Sequence, residues 1–198
     1  MTSIDFSSGA RIGLIVRGKT SVAHEPGNME QHADCVLPNG APVGFFGEGG
    51  AHTGASAKQG SWNSIGMNMH GVVYDYSLLK IHRPYYVDAA LAKKYKVIST
   101  LLVVDTAATV ASEFSAYWTK LKADPAGFYI LGGNCSTRAS GAFVYCKLLN
   151  GGIPGLDTPN NLYKQLRAVM QPKTKSYSGY IGFSPNATGG YDVVVDEV

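Results

Sequence analysis

The chain has 198 residues, of which 45% are hydrophobic and 16% are charged, a composition typical of a folded globular protein and not of a disordered one. The formal net charge of +3 is compatible with an anionic polymer as partner but is too small to favour nucleic acid. The three cysteines, an odd number, do not suggest a disulfide framework.

The sequence predicts neither a membrane span nor a leader. No apolar run approaches the length of about 18 residues that a transmembrane helix needs. Residues 1–10 are polar and lack the basic and apolar regions of a secretory signal peptide. At this length we expect a single domain over residues 1–198, with a core from about residue 10 to 170 and a C-terminal β-hairpin from about 176 to 196.

The first predicted elements are strands. Residues 1–9 are expected to be a loose start, and the branched apolar run Arg11–Arg17 predicts a buried strand. Residues 32–37 and 41–47 predict a hairpin around an Asn39-Gly40 turn. Side chains alternate along a strand. We therefore expect one side of the first hairpin strand to carry His32, Asp34 and Val36, and the other side to carry Ala33, Cys35 and Leu37.

Residues 47–66 are rich in Gly, Ser and Ala and contain Glu48, His52 and Trp62. Loops of this length inside a compact domain are more often functional or mobile than idle. After this loop the pattern predicts a strand, a short helix, a second strand and the longest helix of the chain. Their predicted ranges are 69–79, 87–95, 97–104 and 106–122, with Asp105 or Thr106 as the cap of the last helix.

Residues 132–139, with the sequence GGNCSTRA, read as a tight turn that ends where a helix begins. Asn134 is a good N-cap, and Cys135 then lies in the first helical turn. A thiol at that position is close to the positive end of the helix dipole and to unbonded backbone N–H groups, and both favour the thiolate. Since the thiolate is the nucleophilic form of cysteine, Cys135 is a candidate nucleophile.

The C-terminal part predicts a helix that opens at Asp157-Thr158-Pro159, followed by strands over 176–183 and 191–195. Together the elements predict an α+β fold with a small antiparallel sheet packed against helices. The chain has no CxxC pair, HExxH motif, P-loop or GxGxxG after a strand, so zinc-peptidase, nucleotide-binding and Rossmann interpretations lack their main support. We expect no cofactor and no metal.

A cysteine nucleophile needs an imidazole within hydrogen-bond reach and a third group that orients the ring. Of the five histidines, His32 heads a strand of the predicted hairpin and therefore has the most rigid platform. His24 and His82 lie beside proline turns and are expected to face solvent. His70 is a lesser candidate, and His52 lies in the Gly-rich loop.

The strand-opening His32 and the helix-opening Asn134-Cys135 together resemble the NlpC/P60 papain-like enzymes. Because the His precedes the Cys by roughly a hundred residues, the order is that of their circularly permuted branch. This branch includes lecithin:retinol-acyltransferase-like proteins, the PPPDE deubiquitinating peptidases and bacterial wall hydrolases. The resemblance covers roughly residues 10–150 and implies a papain-like fold with the nucleophile at a helix N-terminus.

The resemblance implies that Cys135 is the nucleophile and His32 the base. The family's orienting residue usually lies on the strand after the His strand, but that strand is apolar here. The nearest polar residues beyond it are Glu48 and His52, which we predict as further catalytic residues. Asp34 shares the face of His32 and is an alternative, although a solvated carboxylate at a strand edge is the commoner case.

Candidate substrate-binding residues are Asn134 and Ser136 beside the nucleophile, and Trp62 in the loop, although such aromatic residues more often serve packing. Cys35 and Cys146 are expected to belong to the core.

The function implied by the resemblance is cleavage of amide bonds in peptidoglycan stem peptides, by an amidase or DL-endopeptidase. A single-domain hydrolase of this kind resembles an antibacterial effector of a type VI secretion machine. The partners would then be peptidoglycan, an immunity protein and a component of the secretion machine. The protein would be cytoplasmic in the producer and, after export without a cleaved signal, would act in the periplasm of a target cell.

Three alternatives come from other functional classes. The first is an acyltransferase or thioesterase that acts on lipids, which would need an apolar membrane-facing segment near the cysteine. The second is a peptidase for ubiquitin-like tails. The third is a non-catalytic binding domain in which Cys135 is incidental, and an unreactive Cys135 thiol at neutral pH would favour it.

Overall fold

The computed structural model describes most of the chain in six ranges. The described residues are 1–19, 32–48, 70–125, 127–128, 133–151 and 158–198. The predictions for His24, His52 and Trp62 concern residues outside these ranges, as does nearly all of the predicted loop 47–66.

Eight strands in the described ranges form one sheet, and each strand is antiparallel to its neighbours. They are β1 (Thr2–Ile4), β2 (Arg11–Lys19), β3 (His32–Val36), β4 (Pro42–Glu48), β5 (His70–Tyr74), β6 (Ile98–Asp105), β7 (Thr174–Pro185) and β8 (Tyr191–Glu197). Their order across the sheet is β1-β8-β7-β6-β2-β3-β4-β5. The predicted α+β class is confirmed, but the prediction of a small sheet is wrong.

The sheet exceeds the prediction partly because the N-terminus is not a loose start. Residues Thr2–Ile4 form an edge strand that pairs with β8, where Thr2 lies opposite Val195. Ile4 and Phe6 are both buried beside this edge. The sequence around this segment is polar and does not indicate a strand. Its pairing with a strand near the C-terminus is a long-range contact that no local pattern predicts.

Five α-helices lie in the described ranges. They are α1 (Tyr76–His82), α2 (Ala89–Lys94), α3 (Ala108–Ala123), α4 (Cys135–Tyr145) and α5 (Pro159–Met170), and a 3₁₀ turn covers Pro84–Tyr86. None of these helices is long and apolar enough to cross a membrane.

Two local details differ from the predictions. The strand predicted over 69–79 ends at Tyr74, because Asp75 accepts a hydrogen bond from the N–H of Leu78 and so starts α1. Neither Asp105 nor Thr106 caps α3, whose N-cap is Ala107 without a side-chain hydrogen bond. The carboxylate of Asp105 is instead bound to Arg11 Nε at 2.7 Å.

The hairpin β3–β4 follows the prediction from its sequence. Gly40 has φ +82°, a conformation that the turn requires and that glycine adopts without strain. Within the turn the N–H of Gly40 donates to the carbonyl of Leu37, and Asn39 Oδ1 accepts from the N–H of Ala41. This tight connection fixes the register in which Asp34 lies opposite Gly44.

Helices or turns cover both faces of the sheet, which makes two cores. On one face, residues from α3, α4 and α5 pack on the sheet, among them Phe114, Trp118, Ala139, Phe143, Leu162 and Leu166. On the other face, α1 and the segment around the 3₁₀ turn contribute Leu79 and Val87. The predicted alternation of β3 is confirmed, because Ala33 and Cys35 belong to the first core and Val36 to the second.

Candidate active site

The candidate nucleophile lies where the sequence places it, at the first position of α4. Asn134 is the N-cap, and its Oδ1 accepts hydrogen bonds from the N–H of Thr137 at 3.0 Å and from the Thr137 hydroxyl at 3.2 Å. This cap starts the helix at Cys135. The side chain of Asn134 therefore acts as a helix cap, and Cys135, 8% exposed, lies in the first turn beside the positive end of the helix dipole.

His32 opens β3. Interactions with the His32 side chain and with the backbone of Ala33 lower the pKa of the Cys135 thiol. Helix α4 packs on one face of the sheet, and the His32 ring stacks on Phe46, which belongs to the core on the other face. The structure thus brings together the two residues that the sequence nominated as nucleophile and base.

Asp34 supplies the group that orients the His32 ring. His32 Nε2 is 2.6 Å from Asp34 Oδ1, and Asp34 is completely buried. Residues i and i+2 of a strand share a face, which explains how two such close positions can pair. With Nε2 bound to Asp34, Nδ1 is the ring nitrogen left for Cys135. The expectation that Asp34 is a solvated strand-edge carboxylate is wrong.

Arg17 is a member of this cluster that the sequence analysis missed. It lies opposite His32 on β2, is 1% exposed, and its Nε donates to Asp34 Oδ2 at 2.8 Å. The sequence does contain a signal for Arg17, because it is a charged residue at the end of an apolar strand, and such residues are seldom buried without a partner. It could not be used because the register that pairs Arg17 with His32 is a tertiary feature.

Aromatic rings enclose the imidazole. The His32 ring stacks on Phe46 of β4 with centroids 4.3 Å apart, and on Tyr86 of the 3₁₀ turn at 5.8 Å. The Tyr86 ring also lies 4.4 Å from the guanidinium carbon of Arg17. These contacts exclude water from the cluster and strengthen the electrostatic interactions within it.

The charges of the cluster alternate, and each one stabilises its neighbour. Burial alone would raise the pKa of Asp34, but the positive charges of His32 and Arg17 hold it below its ordinary value of 3.8. Burial alone would lower the pKa of His32, but the negative charges of Asp34 and Cys135 raise it from 6.5 to about 10. Burial also opposes ionisation of Cys135, yet the charge of His32 and the hydrogen bonds to the thiol bring its pKa below 9.0. Each of these shifts favours the charged form of its group, which is the imidazolium for His32 and the thiolate for Cys135.

Ser136 contacts the nucleophile directly. It is buried, and its Oγ lies 4.0 Å from the Sγ of Cys135. Its contact in this structure is with the thiol, and its predicted part in substrate binding stays a prediction.

Glu48 lies at the exposed end of β4 and accepts a hydrogen bond from the Tyr74 hydroxyl. The structure pairs Glu48 with Tyr74 and gives the position beside His32 Nε2 to Asp34. His52, the other predicted partner of His32, lies outside the described residues.

The other two cysteines belong to the core, as predicted. Cys35 and Cys146 are buried in the core beneath α3, α4 and α5. Burial raises the pKa of Cys35 well above 9.0 and, with the nearby charge of Glu113, raises that of Cys146 to about 11. Both thiols are therefore neutral near pH 7.

The other two described histidines lie at the surface. His70 at the start of β5 and His82 at the end of α1 are both exposed, so the solvent-facing position predicted for His82 is confirmed. In the described part of the chain, no three His, Cys, Asp or Glu residues are grouped so that they could hold a metal ion.

The arrangement of Cys135, His32 and Asp34 can generate a nucleophilic thiolate, move a proton through one imidazole and hold that imidazole in a fixed orientation. These are the elements of acyl transfer through a covalent intermediate. Comparison with models of protein families found no family that matches the chain, and searches of curated proteins and of solved structures found no match either.

Proposed function

We propose that the protein is a cysteine hydrolase of amide bonds, with Cys135 as nucleophile, His32 as general acid and base, and Asp34 as the residue that orients His32. The observation that carries the proposal is the continuous chain of contacts from the buried Asp34 carboxylate through the imidazole to the thiol. A cysteine that was merely part of the core would have a raised pKa, as Cys35 does.

The reaction would begin with attack of the Cys135 thiolate on the carbonyl carbon of the amide. The tetrahedral oxyanion would form near the start of α4, where backbone N–H groups have no intrahelical partner. The N–H groups of Thr137 and Arg138 are bonded to Asn134, which leaves those of Cys135 and Ser136 as the candidate donors.

The His32 imidazolium would then donate its proton to the leaving amine as the carbon–nitrogen bond breaks and a thioester forms on Cys135. Water would attack this thioester and transfer a proton to His32. Cleavage of the carbon–sulfur bond would release the carboxylic acid and restore the thiolate–imidazolium pair. Asp34 would keep the ring in one orientation through both proton transfers.

The proposed substrate is the stem peptide of peptidoglycan. It comes from the resemblance to circularly permuted NlpC/P60 enzymes, and the charge distribution supports it. The segment 76–96, which covers one face of the sheet and contributes Tyr86 to the site, contains five basic residues and one acidic residue. This segment therefore carries a larger positive charge than the whole chain, which has a net charge of +3, and suits an anionic polymer.

We further propose that this hydrolase is an antibacterial effector delivered by a type VI secretion machine and neutralised by an immunity protein in the producing cell. This part rests on the resemblance alone. Its test is expression of the chain with a periplasmic leader in a bacterium, where the wild type should lyse the cells and Cys135→Ala should not. Growth that is equal for the two variants would contradict an effector role.

The enzymatic proposal is tested by incubating the purified protein with isolated peptidoglycan and analysing the fragments by mass spectrometry. We expect stem-peptide products with the wild type and none with Cys135→Ala, and the fragment masses identify the bond. Cys146→Ala is the matched control, because it removes a core thiol and should retain cleavage. Failure to cleave walls of several chemotypes would overturn the peptidoglycan substrate, and lipid and ubiquitin-like substrates would then be tested with the same variants.

A further inference from the structure

The burial of Arg17 needs a physical reason. A guanidinium removed from water loses hydration worth several kcal/mol, and Arg17 is only 1% exposed on a strand whose neighbouring residues, Ile15 and Val16, are fully buried. Its charge is balanced by one carboxylate, that of Asp34. Buried ion pairs of this kind are often no more stabilising than apolar residues of similar volume, so stability alone gives little reason for an arginine at this position.

The geometry of Asp34 suggests what the arginine does. Its two oxygens have different partners, because Oδ1 contacts His32 Nε2 at 2.6 Å and Oδ2 contacts Arg17 Nε at 2.8 Å. A carboxylate bound at both oxygens cannot rotate about its side-chain bonds without breaking one contact. The guanidinium therefore sets the plane of the carboxylate, and the carboxylate sets the direction of the imidazole.

Further described side chains lie beside the series formed by Arg17, Asp34 and His32. Tyr86 of the 3₁₀ turn stacks on both Arg17 and His32, and Arg83 before that turn lies 5.7 Å from the Phe46 ring. From the helix layer, the Cys135 thiol interacts with His32, and this interaction lowers the pKa of the thiol. Arg17, Asp34 and His32 thus follow one another as cation, anion and cation, and the Cys135 thiol lies at the end of this series.

We propose that Arg17 is a positioning residue of the active site, which holds the Asp34 carboxylate so that the His32 ring is directed at the Cys135 thiol. It acts through Asp34 and contacts neither the substrate nor the reacting atoms. The inference rests on the proposed function, because it assumes that the Cys135–His32 pair is the reactive one.

The test measures the rate at which iodoacetamide alkylates Cys135 between about pH 5 and 9, with the modified peptide quantified by mass spectrometry. The wild type should react with a midpoint below the ordinary thiol value, so that the rate persists in mildly acidic solution. In Arg17→Met the midpoint should move upward, and each unit of that shift lowers the rate about tenfold on the acidic side. An unchanged midpoint in a folded Arg17→Met protein would overturn the proposal.

Arg11→Met is the matched control. Arg11 lies on the same strand and makes the same type of contact, Nε to Asp105 Oδ1 at 2.7 Å, but its side chain is 37% exposed and is remote from His32. This variant should leave the midpoint of Cys135 alkylation unchanged. An equal shift in both variants would show a general effect of charge removal and would contradict a positioning role.

Two further variants keep the test decisive if Arg17→Met does not fold. Arg17→Lys retains the charge and should shift the midpoint less than Arg17→Met does. Arg17→Met combined with Asp34→Asn removes both buried charges, so this double variant should fold. Its Cys135 thiol should be alkylated with the midpoint of an ordinary thiol. Circular dichroism and a thermal melt check folding, and unchanged midpoints in both variants would overturn the proposal.

The same data separate this proposal from the proposed function. If wild-type Cys135 has an ordinary thiol midpoint or does not react, the nucleophile assignment itself fails. If the wild type has a lowered midpoint that Arg17→Met leaves unchanged, only the positioning role fails. The buried Cys35 and Cys146 serve as internal references, because their alkylation reports unfolding.

Discussion

The two faces of strand β3 give the same element opposite chemistry. On one face His32 and Asp34 form a buried ionised pair, and on the other Cys35 lies in an apolar core. Cys35 and Cys135 are both buried, yet the pKa of Cys35 is raised well above the ordinary value and that of Cys135 is lowered. Burial is common to both thiols. The difference comes mainly from the charge of His32 beside Cys135, while the Asp34 carboxylate raises the pKa of Cys35 further.

The largest expected effect comes from Asp34→Asn, which makes the ionised face of β3 resemble the neutral one. The variant leaves the buried Arg17 without its anion, which should lower the free energy of unfolding by about 3–5 kcal/mol. His32 should lose its imidazolium character, and alkylation of Cys135 in mildly acidic solution should fall. Urea unfolding and iodoacetamide kinetics measure the two effects.

The control for Asp34→Asn is Asp105→Asn, which breaks the exposed pair with Arg11. Exposed pairs contribute at most about 1 kcal/mol, so this variant should be nearly as stable as the wild type. Equal losses in the two variants would contradict the view that the Asp34 carboxylate is held in a dry, paired environment.

A smaller effect is expected from Gly44→Ala, which changes the packing around Asp34 without changing a charge. Gly44 lies opposite Asp34 on β4, and an added Cβ would overlap Asp34 Oδ1 and crowd the Phe46 ring. The carboxylate must move, so we expect a loss of about 1–3 kcal/mol in the free energy of unfolding together with slower Cys135 alkylation.

Gly151→Ala is the matched control for Gly44→Ala, because a Cβ at Gly151 has no described atom within 4 Å. This substitution should change the free energy of unfolding by no more than about 0.5 kcal/mol and leave the alkylation rate unaltered. A harmless Gly44→Ala would mean that the position of the Asp34 carboxylate does not depend on close approach of β4.

Local interactions account for the parts of the fold that the sequence predicted. The Asn39-Gly40 turn, the Asn134 cap and the opening of α5 at Thr158-Pro159 each involve residues only a few positions apart. Strand β1 was missed because its partner β8 lies at the other end of the chain. The end of β5 was missed because the apolar pattern continues past Asp75, where a local cap overrides it.

The same distinction between local and long-range interactions applies to the candidate site. Cys135 and His32 were identified because each opens an element whose start is visible in the sequence, and Asp34 was a candidate because it shares a strand face with His32. Arg17 and Tyr86 could not be identified. Their places depend on the register between β2 and β3 and on the turn that packs over the sheet. The sequence thus identified the two residues that the proposed function makes reactive but not the groups that enclose them.

The smallest expected effect is a change in how stability varies with pH, which tests whether Cys135 and His32 ionise together. The His32 imidazolium contributes stability that is complete below pH 6.5 and is lost as the pH rises through about 10. The Cys135 thiolate contributes stability that is complete above pH 9.0 and is lost as the pH falls through its lowered pKa. As the pH rises towards 9.0, the contribution of the Cys135 thiolate to stability therefore grows while that of the His32 imidazolium declines.

In the wild type the free energy of unfolding should accordingly be flat just below pH 9.0 and should decline from there to about pH 10. Cys135→Ser lacks the thiolate contribution, while Asp34 still raises the pKa of His32. Its stability should already decline below pH 9.0, by up to about 1.4 kcal/mol per pH unit.

Cys146→Ser, the control, should follow the wild type below pH 9.0 because the raised pKa of Cys146 keeps that thiol neutral there. Urea unfolding across this range provides the slopes. Equal slopes for the wild type and Cys135→Ser would mean that the folded protein holds a neutral thiol, and the thiolate–imidazolium pair on which the proposed chemistry depends would then have to form only when substrate binds.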